Sequence, residues 1–462
     1  MSSDIDEVDL EGLVDEATRR GLDYVDARYQ FHIYELIVID NGVVREYSVN
    51  RNRGVGIRVI LDGFEGFAST NDLSRKGLFQ ALAEAIKIAK AMKVLGKKVE
   101  IFGRKTSRAK TRSSYKIDPI DIDPSEKLKL LMDMHKVSRG VKGVSSSISR
   151  LGIEKDVRWI VSSRGDNVVV ETVLVGVSQY SIAMHAGVME RVYDSRSRVA
   201  GWEYIKSLDL SSFAENTSVL ALKAAQAKTL KPGVYDAVLD NEMVGLLLHE
   251  AFGHATEGDI VESGGSVLKD RVGERVASEL VTIVDDGLVD GGYYVPFDDE
   301  GTPKKRVATV EKGVLKTFLQ SLSTARKLGM KPTGNARAMD CSSPVIVRQT
   351  NTFMLPGDYS VEELISEIKE GVYISGVGAL GGQVDTAMGT FTFTAGPSYI
   401  IRDGEKKELV RGVMLSGSIL DTLKNIDAVA RDLRIHTSVF GGCGKDGQLV
   451  RVGDGGPHVR VR

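Results

Sequence analysis

The stretch YELIVIDNGVVREYSV, residues 34–49, places two apolar extended runs on either side of Asn41-Gly42. Asparagine and glycine accept the positive backbone torsions that a two-residue hairpin turn requires, so the stretch predicts an antiparallel hairpin. The pattern repeats in GVGIRVILDGFEGFAST around Asp62-Gly63 and again, late in the chain, around Asp403-Gly404. Because hairpins recur along the whole chain, antiparallel sheet is predicted to be its main structural element.

Helical patterns interrupt these hairpins mainly in the first half of the chain. Apolar residues spaced for one helix face predict four helices, over residues 7–21, 74–93, 123–139 and 212–230. The second half is predicted to form further hairpins, including residues 281–297 and 308–321, around one embedded helix. We therefore predict the α+β class. Residues 1–230 form an N-terminal α/β domain of hairpins and long helices, and residues 231–462 form a C-terminal, largely antiparallel β domain.

The length and charge of the chain limit the class of protein to which it can belong. Its 462 residues exceed one ordinary hydrophobic core, which agrees with two domains. The 61 basic side chains balance 63 acidic ones, so a nucleic-acid partner is not expected, and the basic run at 102–116 is interpreted as a solvated linker or loop. The chain shows no secretory signal and no apolar stretch near the ~18 residues of a membrane span. With only two cysteines, a cytoplasmic protein without a membrane partner is expected.

The embedded helix of the second half carries a motif typical of metal sites. In LLLHEAFGHATEGD, residues 246–259, the acidic Glu250 follows His249, and His254 comes five positions after the first histidine. Zinc peptidases usually have their histidines four apart. Five residues of regular helix rotate a side chain by about 500°, which would leave the imidazoles roughly 140° apart. Either a π-bulge or a helix end near Gly253 would let both face one metal ion.

Two histidines are too few for a catalytic zinc, which normally has three protein ligands and one open position. The candidates for the third ligand are Glu257 and Asp259 nearby, and Cys443, His436 and His458 farther along the chain. Cys443 lies between glycines, which allow a thiol to approach a metal closely. It could instead be a small buried apolar residue or form a disulfide with Cys341. Glu257 and Asp259 could also orient the histidines, or simply be solvated at a helix end.

Four longer phrases resemble the TldD/PmbA family of metallopeptidases, also called modulators of DNA gyrase. They are LLHEAFGHATEGD, RQTNTFMLPGD, GGQVDTAMGTFTFTAGPSYIIRDGE and GGCGKDGQLVRVGDGGP. The resemblance implies that His249, His254 and Cys443 bind zinc and that Glu250 is the catalytic acid and base. The PmbA branch of the family, also called TldE, lacks these residues. Because this chain has all four, it resembles the catalytic, TldD-like branch.

The resemblance also implies a function and partners. We expect a zinc-dependent peptidase that hydrolyses unfolded or short peptides, in which Glu250 takes a proton from a metal-activated water. Family members dimerise, so the expected partner is a second copy or a PmbA/TldE-like paralogue. The alternative function is a non-catalytic regulatory or binding protein with a structural zinc. Direct binding to nucleic acid or gyrase fits the older family name but not the charge balance.

A last sequence feature concerns how a peptide could bind. The segment GTFTFTAG, residues 389–396, alternates threonine with phenylalanine, as a strand with one buried face does. If this strand lay at an exposed sheet edge, a peptide could be added to it as a further strand. The alternative is an ordinary half-buried strand inside a sheet.

Overall fold

The computed structural model describes residues 8–96, 98–379 and 381–462. The helix predicted over residues 7–21 is α1, Leu10–Arg19, and residue 7 lies outside the described part of the chain. The other helices of the first half are α2 Arg75–Met92, α3 Pro124–Gly140, α4 Trp202–Ser207 and α5 Leu210–Gln226. All four long helices thus begin within three residues of their predicted positions, and α4 was not predicted.

One large sheet fills the first half of the chain. Its strands are β1 Tyr24–Asp40, β2 Val43–Leu61, β3 Phe64–Thr70, β4 Arg108–Arg112, β5 Val144–Ser162, β6 Asn167–His185 and β7 Val188–Arg198. The order is β3-β2-β1-β5-β6-β4, and β7 also pairs with β6. Asn41 (φ 49°) and Gly42 (φ 82°) form the two-residue turn between β1 and β2, which confirms the hairpin prediction. Within the basic run, β4 pairs in parallel with β6, so the prediction of a linker or loop was wrong for that part.

Strand β1 shows how this sheet joins the rest of the molecule. Tyr29 and Ile37, on one face, are buried in the two apolar clusters that the helices form with the sheet. Asp26, Arg28 and Gln30 alternate with the apolar positions and are also buried, although they are polar. Their face meets the second half of the chain, where Arg28 donates to the carbonyl of Ser343 (2.7 Å). The second face of the sheet is therefore covered through polar contacts.

The clearest of these contacts is a buried ion cluster. Arg58 on β2 donates from Nε to Asp26 (2.7 Å) and from Nη1 to Glu300 of the second half (2.7 Å). Glu300 has no exposed side-chain surface, and its other carboxylate oxygen accepts from the backbone N–H of Leu322. Each charge is compensated, which a buried ion requires.

The second half contains short strands in several sheets. They are β8 Lys228–Thr229, β9 Asp236–Leu239, β10 Ile283–Asp285, β11 Val307–Glu311, β12 Val314–Leu315, β13 Ala336–Arg337, β14 Ile346–Val347, β15 Asn351–Met354, β16 Glu370–Ile374, β17 Gly381–Asp385, β18 Thr390–Thr394, β19 Ser398–Arg402, β20 Glu405–Arg411, β21 Met414–Ser418, β22 Ile426–Val429, β23 Arg434–Thr437, β24 Cys443–Lys445, β25 Gln448–Val450, β26 Gly453–Gly456 and β27 Val459–Val461. The two larger sheets have the orders β12-β11-β10-β15-β26-β23 and β22-β27-β9-β16-β19-β20-β8. Most pairs are antiparallel, and the α+β prediction is confirmed.

Short helices connect these strands. They are α6 Asn241–Leu246, α7 Gly258–Ser263, α8 Leu322–Lys327, α9 Val361–Ser366 and α10 Ile419–Lys424. No helix in the described ranges combines the length and the apolar character that crossing a membrane would require. The predicted boundary near residue 231 stays a prediction, although every strand before residue 199 belongs to the first sheet.

One prediction for the second half was wrong. Residues 281–297 do not form a hairpin with each other, because β10 pairs instead with β11 and β15. The Asn351 side chain accepts from the backbone N–H of Tyr293 and donates to the carbonyls of Asp286 and Tyr293, which fixes this segment outside a strand ladder. Strand β18, within 389–396, lies between β17 and β21 and has no free edge, so the half-buried strand was the correct alternative.

Candidate metal centre

The helix of the histidine motif is anchored at its start and buried along its length. Asp240 caps α6, since its side chain accepts from the backbone N–H of Met243 (2.9 Å). Met243, Val244, Leu247 and Leu248 are all fully or almost fully buried in the largest apolar cluster of the molecule. The apolar run MVGLLL thus fixes the helix firmly before its polar end begins.

A π-helical segment, Leu247–Gly253, resolves the five-residue spacing. The backbone N–H of His254 donates to the carbonyl of His249, five residues earlier, so the segment contains one extra residue per turn. The two imidazole centroids are 5.3 Å apart. A 3₁₀ turn, His254–Thr256, follows directly. Of the two predicted solutions, the structure contains the π-bulge.

Gln349 holds this segment from outside. Its Nε2 donates to the carbonyl of His249 (3.0 Å). Gly253 lies against the same amide, and a Cβ at this position would be 2.0 Å from Gln349 Oε1. Any side chain at position 253 would therefore displace the Gln349 amide.

Replacing Gly253 with alanine should weaken metal binding. The added methyl group would displace the Gln349 amide and with it the support of His249, so we expect a 10- to 100-fold lower metal affinity, roughly the effect of losing an outer partner of a ligand. Overpacking should also destabilise the fold by about 1–3 kcal/mol. Zinc titration and thermal unfolding would measure both effects. Gly444→Ala is the control, because a Cβ there has no neighbour within 4 Å.

Cys443 meets the two histidines from a distant part of the chain. Its Sγ is 3.2 Å from His254 Nε2, and one side-chain atom from each of the three residues lies within 4.8 Å of the other two. All three residues are buried. Cys443 and Cys341 are both free, so the disulfide alternative was wrong. Cys341 lies instead against Gly54 and Gly56 of the first half.

The donor set fits a bound metal ion. Both ring nitrogens of the buried His249 lack a hydrogen-bond partner within the described ranges, which is costly unless another group satisfies them. Burial raises the pKa of the Cys443 thiol, but the imidazoles of His249 and His254 outweigh it and lower that pKa to about 5. The site is therefore suited to a thiolate, the form of cysteine that binds metals. Imidazole and thiolate are both ligands that zinc takes in proteins, and three protein ligands are the number found in catalytic zinc sites.

Glu257 orients His254 from behind. Its Oε2 lies 3.1 Å from His254 Nδ1, which leaves Nε2 for the metal. Burial raises the pKa of Glu257, but His254 and Lys445 outweigh it and lower the pKa to about 2. The expectation that Glu257 orients a histidine agrees with this geometry. Within the described residues, Asp259 accepts from Lys445 (2.7 Å) and from the backbone N–H of Val347, so the alternative that it orients a histidine was wrong.

Several residues that support the site were not identified from the sequence. They lie in the other phrases that resemble the TldD/PmbA family. Arg348 is fully buried and donates to the carbonyl of Cys443 and, at 3.1 Å, to that of Gln448. Lys445 bridges Glu257 (2.9 Å) and Asp259. Arg348 and Gln349 begin the phrase RQTNTFMLPGD, and Lys445 lies within CGK. The family resemblance of these phrases was thus the only sequence feature that pointed to these residues. It did not reveal which contact each residue makes.

A cavity of about 870 Å³ opens beside the cluster and is lined by His249, Glu250 and Cys443 among others. The Glu250 side chain is 37% exposed there, and its Oε2 is 3.9 Å from His254 Nε2. The other two candidate ligands lie elsewhere on the cavity wall. His436 pairs with Asp454, and His458 pairs with Asp432, so neither belongs to the cluster.

Comparison with protein-family models gives matches over most of the chain. Residues 25–92 match the model described as PmbA/TldA metallopeptidase domain 1, and residues 117–228 match the central domain. Residues 232–462, which contain the whole metal centre, match the PmbA/TldA metallopeptidase C-terminal domain.

Individual relatives agree with these matches. A metalloprotease of Methanothermobacter thermautotrophicus is 37% identical over 96% of this chain and 94% of its own length. A zinc metalloprotease TldD homolog of Saccharolobus solfataricus is 30% identical over 97% of each chain. A Thermotoga maritima crystal structure, described as a modulator of a DNA gyrase, shares the fold with a TM-score of 0.79 at 24% identity. It covers 98% of this chain, which in turn spans 97% of the T. maritima chain.

Proposed function

This chain belongs to the PmbA/TldD family of metallopeptidases, and from this premise we propose that it is a zinc-dependent peptidase acting on short or unfolded peptides. One observation carries the proposal. His249, His254 and Cys443 present their ligand atoms together, in a buried cluster at the wall of a cavity that also exposes Glu250. A structural zinc site normally has four protein ligands, whereas three ligands leave a position open for reaction.

In the proposed enzyme, these three residues hold the zinc. When bound, the zinc supplies Lewis acidity to the substrate carbonyl and lowers the pKa of a coordinated water. Glu257, Gln349 and Arg348 hold the three ligand residues in place through the contacts described above. Because these contacts are buried and mutually supporting, the ligand residues are preorganised for the metal.

Glu250 is the proposed general base and acid. It takes one proton from the attacking water as the oxygen of that water bonds to the carbonyl carbon. It then delivers this proton to the amide nitrogen as the carbon–nitrogen bond breaks. The second proton of the water passes from the new carboxyl group to the amine, so that the products are a carboxylate and an ammonium group. Its exposed carboxylate, next to the metal ligand His254, supports this role.

The size of the cavity supports a short or unfolded substrate. About 870 Å³ accommodates a few residues of extended peptide but no folded domain. The wall carries side chains of both charges and several aromatic rings, including Arg434, Asp240, Tyr373 and Tyr399. Such a mixed lining favours binding through the peptide backbone over selection of one side-chain type.

We also propose that the protein functions as a dimer, with itself or with a PmbA/TldE-like paralogue. The supporting feature is strand β2, whose residues 43–54 are not paired with β3. Val43, Val44, Tyr47 and Val49 are exposed along this edge. An open strand edge with exposed apolar side chains favours association with another chain. Sedimentation of the purified protein tests the self-association, and a heterodimer requires co-expression with the paralogue.

Removal of the metal should abolish the activity. We expect about one zinc ion per purified chain by elemental mass spectrometry, and peptide-mixture cleavage that stops with a chelator and returns with added zinc. Cleavage that persists in metal-free protein would contradict the proposed zinc-dependent peptidase. Bound zinc without any cleavage would favour the alternative, a regulatory or binding protein with a structural zinc.

A further inference from the structure

His436 is a histidine of the cavity wall that neither the metal cluster nor the role of Glu250 uses. It lies on β23, the edge strand of its sheet, directly opposite Asp454 on β26. Its Nε2 forms an ion pair of 2.9 Å with Asp454 Oδ1, and its side chain is 45% exposed on the cavity wall. The other ring nitrogen, Nδ1, forms no hydrogen bond in the part of the chain that the structure describes.

Asp454 brings this pair next to the metal-binding helix. It packs against Gly245, where an added Cβ would lie 2.7 Å from Asp454 Oδ1. Gly245 precedes His249 by four residues, which is about one helical turn or ~6 Å along the axis. Side chains four residues apart share a helix face and lean towards its N-terminus. The His436–Asp454 pair therefore lies beside the face from which His249 reaches the metal site.

We propose that His436 is a further catalytic residue, which donates a hydrogen bond from Nδ1 to the carbonyl oxygen of the scissile peptide bond as that oxygen becomes negative, with Asp454 as its positioning residue. This inference rests on the peptidase function proposed above. It supplies a partner for the oxygen that the motif residues do not provide, since Glu250 as a carboxylate only accepts hydrogen bonds. A positioned donor aimed at developing negative charge is among the strongest contributions to such reactions.

The charge state of His436 agrees with this role. Partial desolvation on the cavity wall lowers the pKa of His436, but Asp454 outweighs it and raises the pKa to about 9. The ring is therefore protonated near neutral pH, and both of its nitrogens carry a proton. Nε2 faces Asp454 in the 2.9 Å ion pair, and Nδ1 is left to serve a substrate.

The second histidine of the cavity wall is not equivalent. His458 is almost fully buried, and both of its ring nitrogens are occupied. Nδ1 lies 2.7 Å from Asp432, and Nε2 lies 2.9 Å from the hydroxyl of Tyr373. With no free ring nitrogen, His458 cannot donate to a substrate. We therefore assign the role of hydrogen-bond donor to His436.

The test compares His436→Phe with His436→Gln in zinc-loaded protein. Loss of the donor should lower kcat by about 10²–10³-fold, and KM should stay within about threefold of the wild-type value. Glutamine retains an N–H donor and should recover part of the loss. A peptide phosphonamidate, which mimics the negative oxygen, should bind more weakly to the phenylalanine variant, whereas the zinc content should not change. Asp454→Asn should lie between the wild type and His436→Phe.

A matched control is His32→Phe, which removes a carboxylate-paired histidine that lines a different cavity and should leave kcat unchanged. The inference is overturned if His436→Phe keeps kcat within about threefold, or if its loss merely follows loss of zinc. It is also overturned if Arg434→Met, which alters the other cation on the exposed side of β23, weakens phosphonamidate binding more than His436→Phe does. If Glu250→Gln is inactive while His436→Phe is fully active, this inference fails and the peptidase function stands. A zinc-loaded wild type that cleaves no peptide refutes both.

Discussion

Glu250→Gln is expected to lower kcat for peptide cleavage by about 10²–10⁴-fold, the usual contribution of a general base or acid. The amide has nearly the shape of the carboxylate but cannot take a proton from water. Because Glu250 is not one of the three clustered ligand residues, the zinc content should stay at the wild-type level. Steady-state kinetics on one fluorogenic peptide, with elemental analysis of the same samples, would measure both quantities.

The control for this variant is Glu262→Gln, on the neighbouring helix α7. Glu262 pairs with Lys327 at the surface and does not line the cavity, so its neutralisation should not change kcat. Wild-type cleavage by Glu250→Gln would remove this residue from the mechanism. Loss of zinc together with activity would show that Glu250 supports the metal and does not transfer protons.

Cys443→Ala is expected to have the second largest effect, on metal affinity. Loss of an outer partner of a ligand costs 10- to 100-fold, so loss of a direct ligand should raise the zinc dissociation constant by more than about 100-fold. The variant removes the thiolate and leaves two buried imidazoles with one ligand too few. Competition with a chromophoric chelator gives the dissociation constant, and cleavage should decline as zinc is lost.

Cys341→Ala separates this effect from a general loss of a thiol. Cys341 is the other free cysteine, and it lies against β2 of the first half, away from the metal centre. Its removal should leave zinc affinity unchanged. If Cys443→Ala bound zinc as tightly as the wild type, the third ligand would have to be another residue.

Local turn chemistry explains which parts of the fold could be predicted. Asn41-Gly42 forms its hairpin because both residues adopt positive φ, a property that neighbours along the chain determine. The segment 281–297 looked similar, but its strand pairs with residues far away and its remainder is held by Asn351. The position of β18 between two other strands also depends on distant pairing. Local sequence contains no information on such partners.

In the metal centre, too, local features could be predicted from the sequence and tertiary contacts could not. The five-residue spacing of His249 and His254 required a distorted helix, and the π-helical segment confirms that expectation. The family resemblance selected Cys443 from five candidate third ligands, and the structure brings it to the histidines. The supporting roles of Arg348 and Gln349 depend on atoms placed by tertiary packing, and neither spacing nor composition shows them.

The buried cluster of Arg58, Asp26 and Glu300 determines how the chain can be truncated. A fragment beginning near residue 231 would retain His249, His254 and Cys443, yet it would lack Arg58 and leave the buried Glu300 without its cation. Breaking such a buried pair costs about 3–5 kcal/mol, a large share of the stability of a typical protein. The half of the chain that holds the metal centre therefore depends on the first half for its stability, and truncations should keep both halves.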